Sequence, residues 1–154
     1  MTTTAEWSAS ELIVDASLVI DAVADPGSRG VAARAALAAV PATDQVIAPG
    51  HFAFEVMSGL GAAANRPNHP FQPADLGPAL QAAEALEIAI EATPWSDVRR
   101  AWDLVRGSLR YADAIYVAAA ERHGTALLTA DSQIERSGAL IRCEVITLRP
   151  TAER

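Results

Sequence analysis

Short apolar runs alternate along this chain with longer segments in which apolar residues recur every three or four positions. The first run, Leu12-Ile13-Val14, closes on Asp15 and predicts a short buried strand. Ala16 to Ala24 follows with helical spacing through Leu18, Val19, Ala22 and Val23, and Asp25-Pro26-Gly27 stops it. Ser28 is placed to cap a second, alanine-rich helix reaching about Val40. Gln45 to Ala48 predicts a second strand, ended by Pro49-Gly50. A third helix over His51 to Ala64 carries Phe52, Val56, Leu60 and Ala63 along one side. Three prolines between Asn65 and Pro73 predict a loop, and Leu76, Leu80, Ala83 and Leu86 place a fourth helix over Ala74 to Leu86.

The same alternation continues to the end of the chain. Ile88 to Ala92 alternates as a strand does, and Thr93 is expected to cap a helix with Pro94 at its first position and Asp97 one turn on. That helix fades near Gly107. The next begins around Ala112 and stops at His123-Gly124, where glycine supplies the C-terminal cap. Thr125 to Thr129 is a strand, Ser132 to Arg136 a short helix, and Glu144 to Leu148 a final strand. Strands joined by helical crossovers predict an α/β fold with a parallel sheet sandwiched by helices. At 154 residues the chain is expected to be one domain, with its core over about 12–148 and flexible ends at 1–10 and 150–154.

Composition narrows the chemistry. All twelve basic residues are arginine, and the chain has no lysine, as a GC-rich coding sequence would produce. A Walker A loop and lysine nucleophiles are therefore excluded. Receiver domains and haloacid-dehalogenase-type phosphatases, which gather acids at strand ends beside a lysine, fit poorly. A net charge of −7 argues against a broadly basic nucleic-acid-binding surface, although clustered acids neutralised by a metal would not exclude nucleic acid. Arg99, Arg100, Arg106 and Arg110 form a local basic run that reads either as a solvated helix face or as a phosphate-contacting rim. The single cysteine, Cys143, has apolar neighbours and is expected to be a reduced, buried thiol. Met1 to Glu11 lacks the cationic and apolar regions of a signal peptide, and no segment is suited to crossing a membrane, so the cytoplasm is the expected compartment.

Four acids stand where a parallel sheet would present them at one end. Asp15 ends the first strand, Asp131 lies just past the strand closing on Thr129, Asp113 opens an almost wholly apolar helix, and Glu55 borders the apolar face of another. Each has an ordinary reading in isolation. Asp15 and Asp113 suit helix caps, Glu55 a surface position and Asp131 a turn. Ser17 suits a cap more readily than a site hydroxyl, while Thr129 is placed to hold Asp131 through a side-chain hydrogen bond. Gathered together, however, the acids repel one another unless protonated or bound to a cation, which points to a hard divalent metal. Histidine offers no rival: His51, His69 and His123 are isolated in sequence and form neither HExxH nor a Cys/His metal spacing.

Taken in order, Ile13-Val14-Asp15-Ala16-Ser17, Pro49 with Glu55 six residues on, Tyr111-Ala112-Asp113-Ala114-Ile115-Tyr116, and Leu127-Leu128-Thr129-Ala130-Asp131 resemble the PIN-domain family, especially VapC-type toxins. The resemblance spans Leu12 to Leu148 and is most specific from Asp113 to Asp131. It implies a three-layer α/β/α sandwich and an acidic Mg²⁺ or Mn²⁺ site that cleaves RNA. Asp15, Glu55 and Asp113 match the three core acids and Asp131 the more variable fourth, while Ser17 and Thr129 match the residues supporting the first and fourth. Arg110 is placed to contact an RNA phosphate. The resemblance further implies an antitoxin encoded nearby and a homodimer; the 65–73 segment is less typical of the family.

Two other readings compete with the nuclease. A catalytically silent PIN-like interaction module would lack a core acid, and none is missing. A metal-dependent phosphatase would carry two acids beside the first strand, whereas Asp15-Ala16-Ser17 supplies one.

Overall fold

The computed structural model describes residues 10–150, so the expected flexible ends lie almost wholly outside the described residues. Strand β1 (Glu11–Val14) is the middle of a five-stranded parallel sheet with β2 (Gln45–Pro49), β3 (Ala89–Glu91), β4 (Leu127–Thr129) and β5 (Val145–Thr147), in the order β3-β2-β1-β4-β5. Ile13 stands opposite both Ile47 and Leu127, and Val14 opposite Leu128, which centres the core on β1. Both β1 residues have no exposed surface, as continuous apolar strands covered on two faces should.

Among the described residues, seven helices surround this sheet: α1 (Ala16–Ala24), α2 (Ser28–Ala38), α3 (Phe52–Ala64), α4 (Leu76–Ala85), α5 (Trp95–Val105), α6 (Tyr111–His123) and α7 (Ser132–Arg136). Parallel crossovers are right-handed. The connections β1 to β2 to β3 therefore pack on one face, and those leading to β4 and β5, which run the opposite way across the sheet, pack on the other. The expected α/β/α arrangement is present. Helix α6 packs on β1 and β2 with α5 outside it, and its segment from Tyr116 to Ala120 is buried without interruption. A helix apolar on all sides must lie inside, and this one does.

Several local expectations need correction. Gly27, not Ser28, occupies the cap position of α2, and no side chain bonds there. Pro94, not Thr93, occupies that of α5. The loop after α3 ends at Gln72, close to where its prolines suggested, but Pro73–Asp75 forms a 3-10 turn, so α4 starts two residues later than expected. The core-facing stripe of α4 is Leu76, Ala79 and Ala83, whereas Leu80 and Leu86 stand at its rim. Gly124 does close α6 in a left-handed conformation, with φ of 62°. Among the described residues, no helix is long and apolar enough to cross a membrane.

Glycine decides one close approach. A Cβ at the buried Gly30 in α2 would overlap the Asp25 carbonyl, whereas one at Gly61 in α3 meets nothing. Gly30→Ala is expected to destabilise the fold by about 1–3 kcal/mol. Gly61→Ala should stabilise it by about 0.4–1 kcal/mol. Urea unfolding of the two variants checks both signs.

Candidate functional site

Strands β1 and β4 are neighbours whose onward connections leave in opposite directions across the sheet, and such a reversal opens a crevice at the strands' carboxyl ends. Asp15 stands directly after β1. Its Oδ1 accepts from the Leu18 amide at 3.2 Å, capping α1, and from the Ser17 hydroxyl at 2.7 Å. Its Oδ2 accepts from the Thr129 hydroxyl at the end of β4. The cap and the site reading of Asp15 are thus one arrangement. Ser17 is no cap: its oxygen accepts from the Ala130 amide at 3.1 Å while its proton goes to Asp15. Thr129 serves the first acid more than the fourth, since it touches Asp131 only by accepting from that residue's backbone amide at 2.9 Å. These bonds tie the ends of β1 and β4 together through one carboxylate.

Glu55 lies in the first turn of α3 and is only partly exposed. The Tyr116 hydroxyl donates to its Oε1 at 2.6 Å, and His51 Nε2 lies 3.2 Å from the same oxygen. His51 Nε2 also lies 3.1 Å from the Ala112 carbonyl, so with acceptors on both sides this nitrogen carries the proton. Tyr116 and His51 were not among the candidates; spacing could place each beside an acid on its own helix, but could not join Tyr116 to Glu55. His51 precedes Glu55 by one helical turn, and Tyr116 shares a face of α6 with Asp113. Asp113 sits in the first turn of α6, inside the cap formed by Arg110, and is therefore not the cap itself. Asp131 caps α7 by accepting from the Gln133 amide at 2.9 Å.

All four acids line one cleft of about 370 Å³, together with Ser17, Ile20, Phe54, Arg110 and Tyr116. A larger open groove of about 930 Å³ shares Ser17 and Asp131 with it and carries Arg29, Arg136 and Arg149 along its walls. Arg110 reaches into the cleft itself, with Nε 3.0 Å from Asp113 and a terminal nitrogen 2.7 Å from Asp131. The rest of the basic run lies elsewhere. Arg100 pairs with Glu121 at 2.7 Å, Arg99 is exposed on α5 and Arg106 is exposed just past its end. Cys143 is only partly buried, but that burial pushes its thiol up to about 11, which keeps it protonated and inert.

The electrostatics are those of acids short of a counter-charge. Burial raises the Asp15 carboxyl to about 6 against the hydrogen bonds of Thr129, Ser17 and Leu18, and the charge of Asp113 raises it further. Asp113 is also raised, chiefly by burial, with Asp131 and Glu55 adding repulsion that Arg110 opposes. Burial would raise Glu55 as well, but the bonds from His51 and Tyr116 hold it below the usual carboxylate range. Tyr116 is driven upward by burial and by Glu55, so it stays a donor. Among the described residues, no three of the His, Cys, Asp and Glu side chains stand close enough together to hold a metal ion as they are. The donor set nonetheless fits a hard divalent cation: it is made of carboxylate oxygens, lines an open cleft, and already attracts a guanidinium.

Comparison with known proteins agrees with this architecture. The PIN-domain family model matches residues 12–140. The chain is 31% identical over 141 residues to the Ribonuclease VapC3 proteins of two Mycobacterium tuberculosis strains, a match covering 82% of this chain and 87% of theirs. Among solved structures it resembles VapC20 of M. tuberculosis, described as a sarcin–ricin-loop-cleaving toxin, with a TM-score of 0.65 and 20% identity over 90% of this chain and 99% of that one. VapBC2 of Rickettsia felis, crystallised with a fragment of its promoter DNA, gives 0.61 and 9% identity, covering 90% of this chain and 99% of that one. PAE2754 of Pyrobaculum aerophilum gives 0.60 and 18%, covering 95% of this chain and 92% of that one.

The raised Asp15 carboxyl has a consequence for stability. Because the folded state holds this proton more tightly than the unfolded chain, the group's contribution is greatest below pH 3.8 and is lost as the pH rises to about 6. The ionised form then costs the metal-free protein up to about 3 kcal/mol. Asp15→Asn is therefore expected to melt above wild type at pH 7.5 in EDTA, with the advantage shrinking toward pH 4. Thermal melts across this range check it, and a variant no more stable at pH 7.5 contradicts it.

Proposed function

The chain belongs to the PIN-domain family, and on that premise we propose that it is a metal-dependent endoribonuclease, the toxin of a toxin–antitoxin pair acting in the cytoplasm. The observation that carries this reading is the meeting of Asp15, Glu55, Asp113 and Asp131 on one cleft. Asp15 and Asp113 would be the principal holders of Mg²⁺ or Mn²⁺, with Glu55 and Asp131 completing the site or ordering water. When bound, the cation would activate a water and offset charge on the scissile phosphate.

The chain's own groups prepare this chemistry. Ser17, Thr129 and the Leu18 amide fix both oxygens of Asp15, so the carboxylate is oriented before substrate arrives. His51 and Tyr116 keep Glu55 ionised and turned into the cleft, suited to accepting a proton from water. Arg110, exposed over most of its length, has the fork that pairs with phosphate oxygens. The neighbouring groove with its three arginines gives an RNA strand or an antitoxin segment room beside the acids. A cognate antitoxin is supported by the likeness to VapBC2, and a homodimer follows from the family reading.

Arg110 standing among the acids is what a catalytically silent interaction module would also show, so cleavage must be measured. Purified protein with Mg²⁺ or Mn²⁺ is expected to cut cellular RNA. Asp15→Asn and Asp113→Asn should each lower the rate by about a hundredfold or more, the scale of losing several kcal/mol of transition-state stabilisation. Variants that cut as well as wild type would overturn the site. No cleavage of any RNA by the wild type would favour the silent module.

A further inference from the structure

Arg110 is the one cation inside the acid cleft among the described residues, and its two halves are held very differently. Its backbone is fixed. It caps α6, its carbonyl accepts from the Ala114 amide at 2.9 Å, and the preceding Leu109 is 3% exposed. Its side chain is 62% exposed, while its partners Asp113 and Asp131 are 12% and 24% exposed. The guanidinium therefore bridges two partly buried carboxylates from the solvent side, on a stem that can swing away without disturbing the helix. Asp113, Asp131 and Glu55 all lend it favourable charge.

We infer that Arg110 is a reversible internal latch on the metal site, competing with the divalent cation for Asp113 and Asp131. This rests on the nuclease reading of the cleft and adds to it a regulation built into the chain. A guanidinium and a divalent ion cannot share the same carboxylate oxygens at contact distance. Cation entry thus requires the latch to open, and the apparent metal affinity is reduced by the fraction of molecules that stay latched. The latched form spares the metal-free protein the repulsion between Asp113, Asp131 and Glu55. The released side chain hangs at the mouth of the cleft, where the backbone of an RNA strand would pass.

The sign of a substitution separates this role from a structural one. Were Arg110 merely bracing Asp113 and Asp131 in ligating positions, its loss would loosen them and weaken metal binding. As a latch, its loss strengthens binding. Titration calorimetry of the full chain with Mn²⁺ at low salt makes the comparison for wild type, Arg110→Gln, Arg110→Lys and Asp15→Asn. Arg110→Gln is expected to bind Mn²⁺ about tenfold more tightly than wild type, the scale set by two exposed ion pairs. Arg110→Lys, which keeps the charge but not the fork, should fall between them. Unchanged or weaker binding by Arg110→Gln overturns the latch, and if Asp15→Asn still abolishes binding, the metal site itself stands. Absence of Mn²⁺ binding in wild type and both Arg110 variants overturns both.

Discussion

A carboxylate held almost out of water between two strand ends is the constraint around which this molecule is arranged. Asp15 directly follows the fully buried Ile13 and Val14 at the middle of the sheet and is itself buried. An unpaired charge there would be expensive. The fold meets the cost with three donors, the Leu18 amide, Ser17 and Thr129, and the last is available only because β4 lies beside β1. The hydrogen bonds that make the acid tolerable also set its direction. They do not cancel the cost of burial, which leaves a carboxyl with a raised proton affinity facing a cleft.

The other acids are positioned by the same economy of parts. Helix α6 is buried through its middle and presents Asp113 from one turn and the Tyr116 hydroxyl from the next. Tyr116 links α6 to Glu55 on α3, and His51 joins the two helices again through the Ala112 carbonyl. Elements widely separated in the chain are thereby locked to one cleft by a few polar contacts. Arg110 occupies that cleft from outside, on the least buried side chain of the group.

The strands, their parallel sheet and the covering helices were legible in the alternation of apolar runs and helical stripes, because each strand is short, continuous and bounded by turn residues; the order of the strands was not. The four acids were legible for a related reason. Three of them stand at element boundaries, where a buried sheet can expose a charge. The helix starts were less so: Gly27 and Pro94 hold cap positions that nearby Ser28 and Thr93 seemed to claim, because backbone geometry and not side-chain chemistry sets those turns. The partners of the acids were hidden for a deeper reason. Nothing local says that Tyr116 meets Glu55 sixty-one positions away, or that Thr129 turns to Asp15 and not to Asp131. Such contacts depend on how helices cross the sheet, and one-dimensional periodicity carries no record of that.

On the reading proposed above, the acid cleft is a divalent-cation site that Arg110 closes until the cation enters. Crystals grown with Mn²⁺ and measured at the manganese absorption edge test it most directly. The account requires an anomalous peak between the Asp15 and Asp113 carboxylates, with the Arg110 guanidinium turned away from Asp113 and Asp131. A peak elsewhere on the protein, or none, with Arg110 still seated on the two acids, would contradict it.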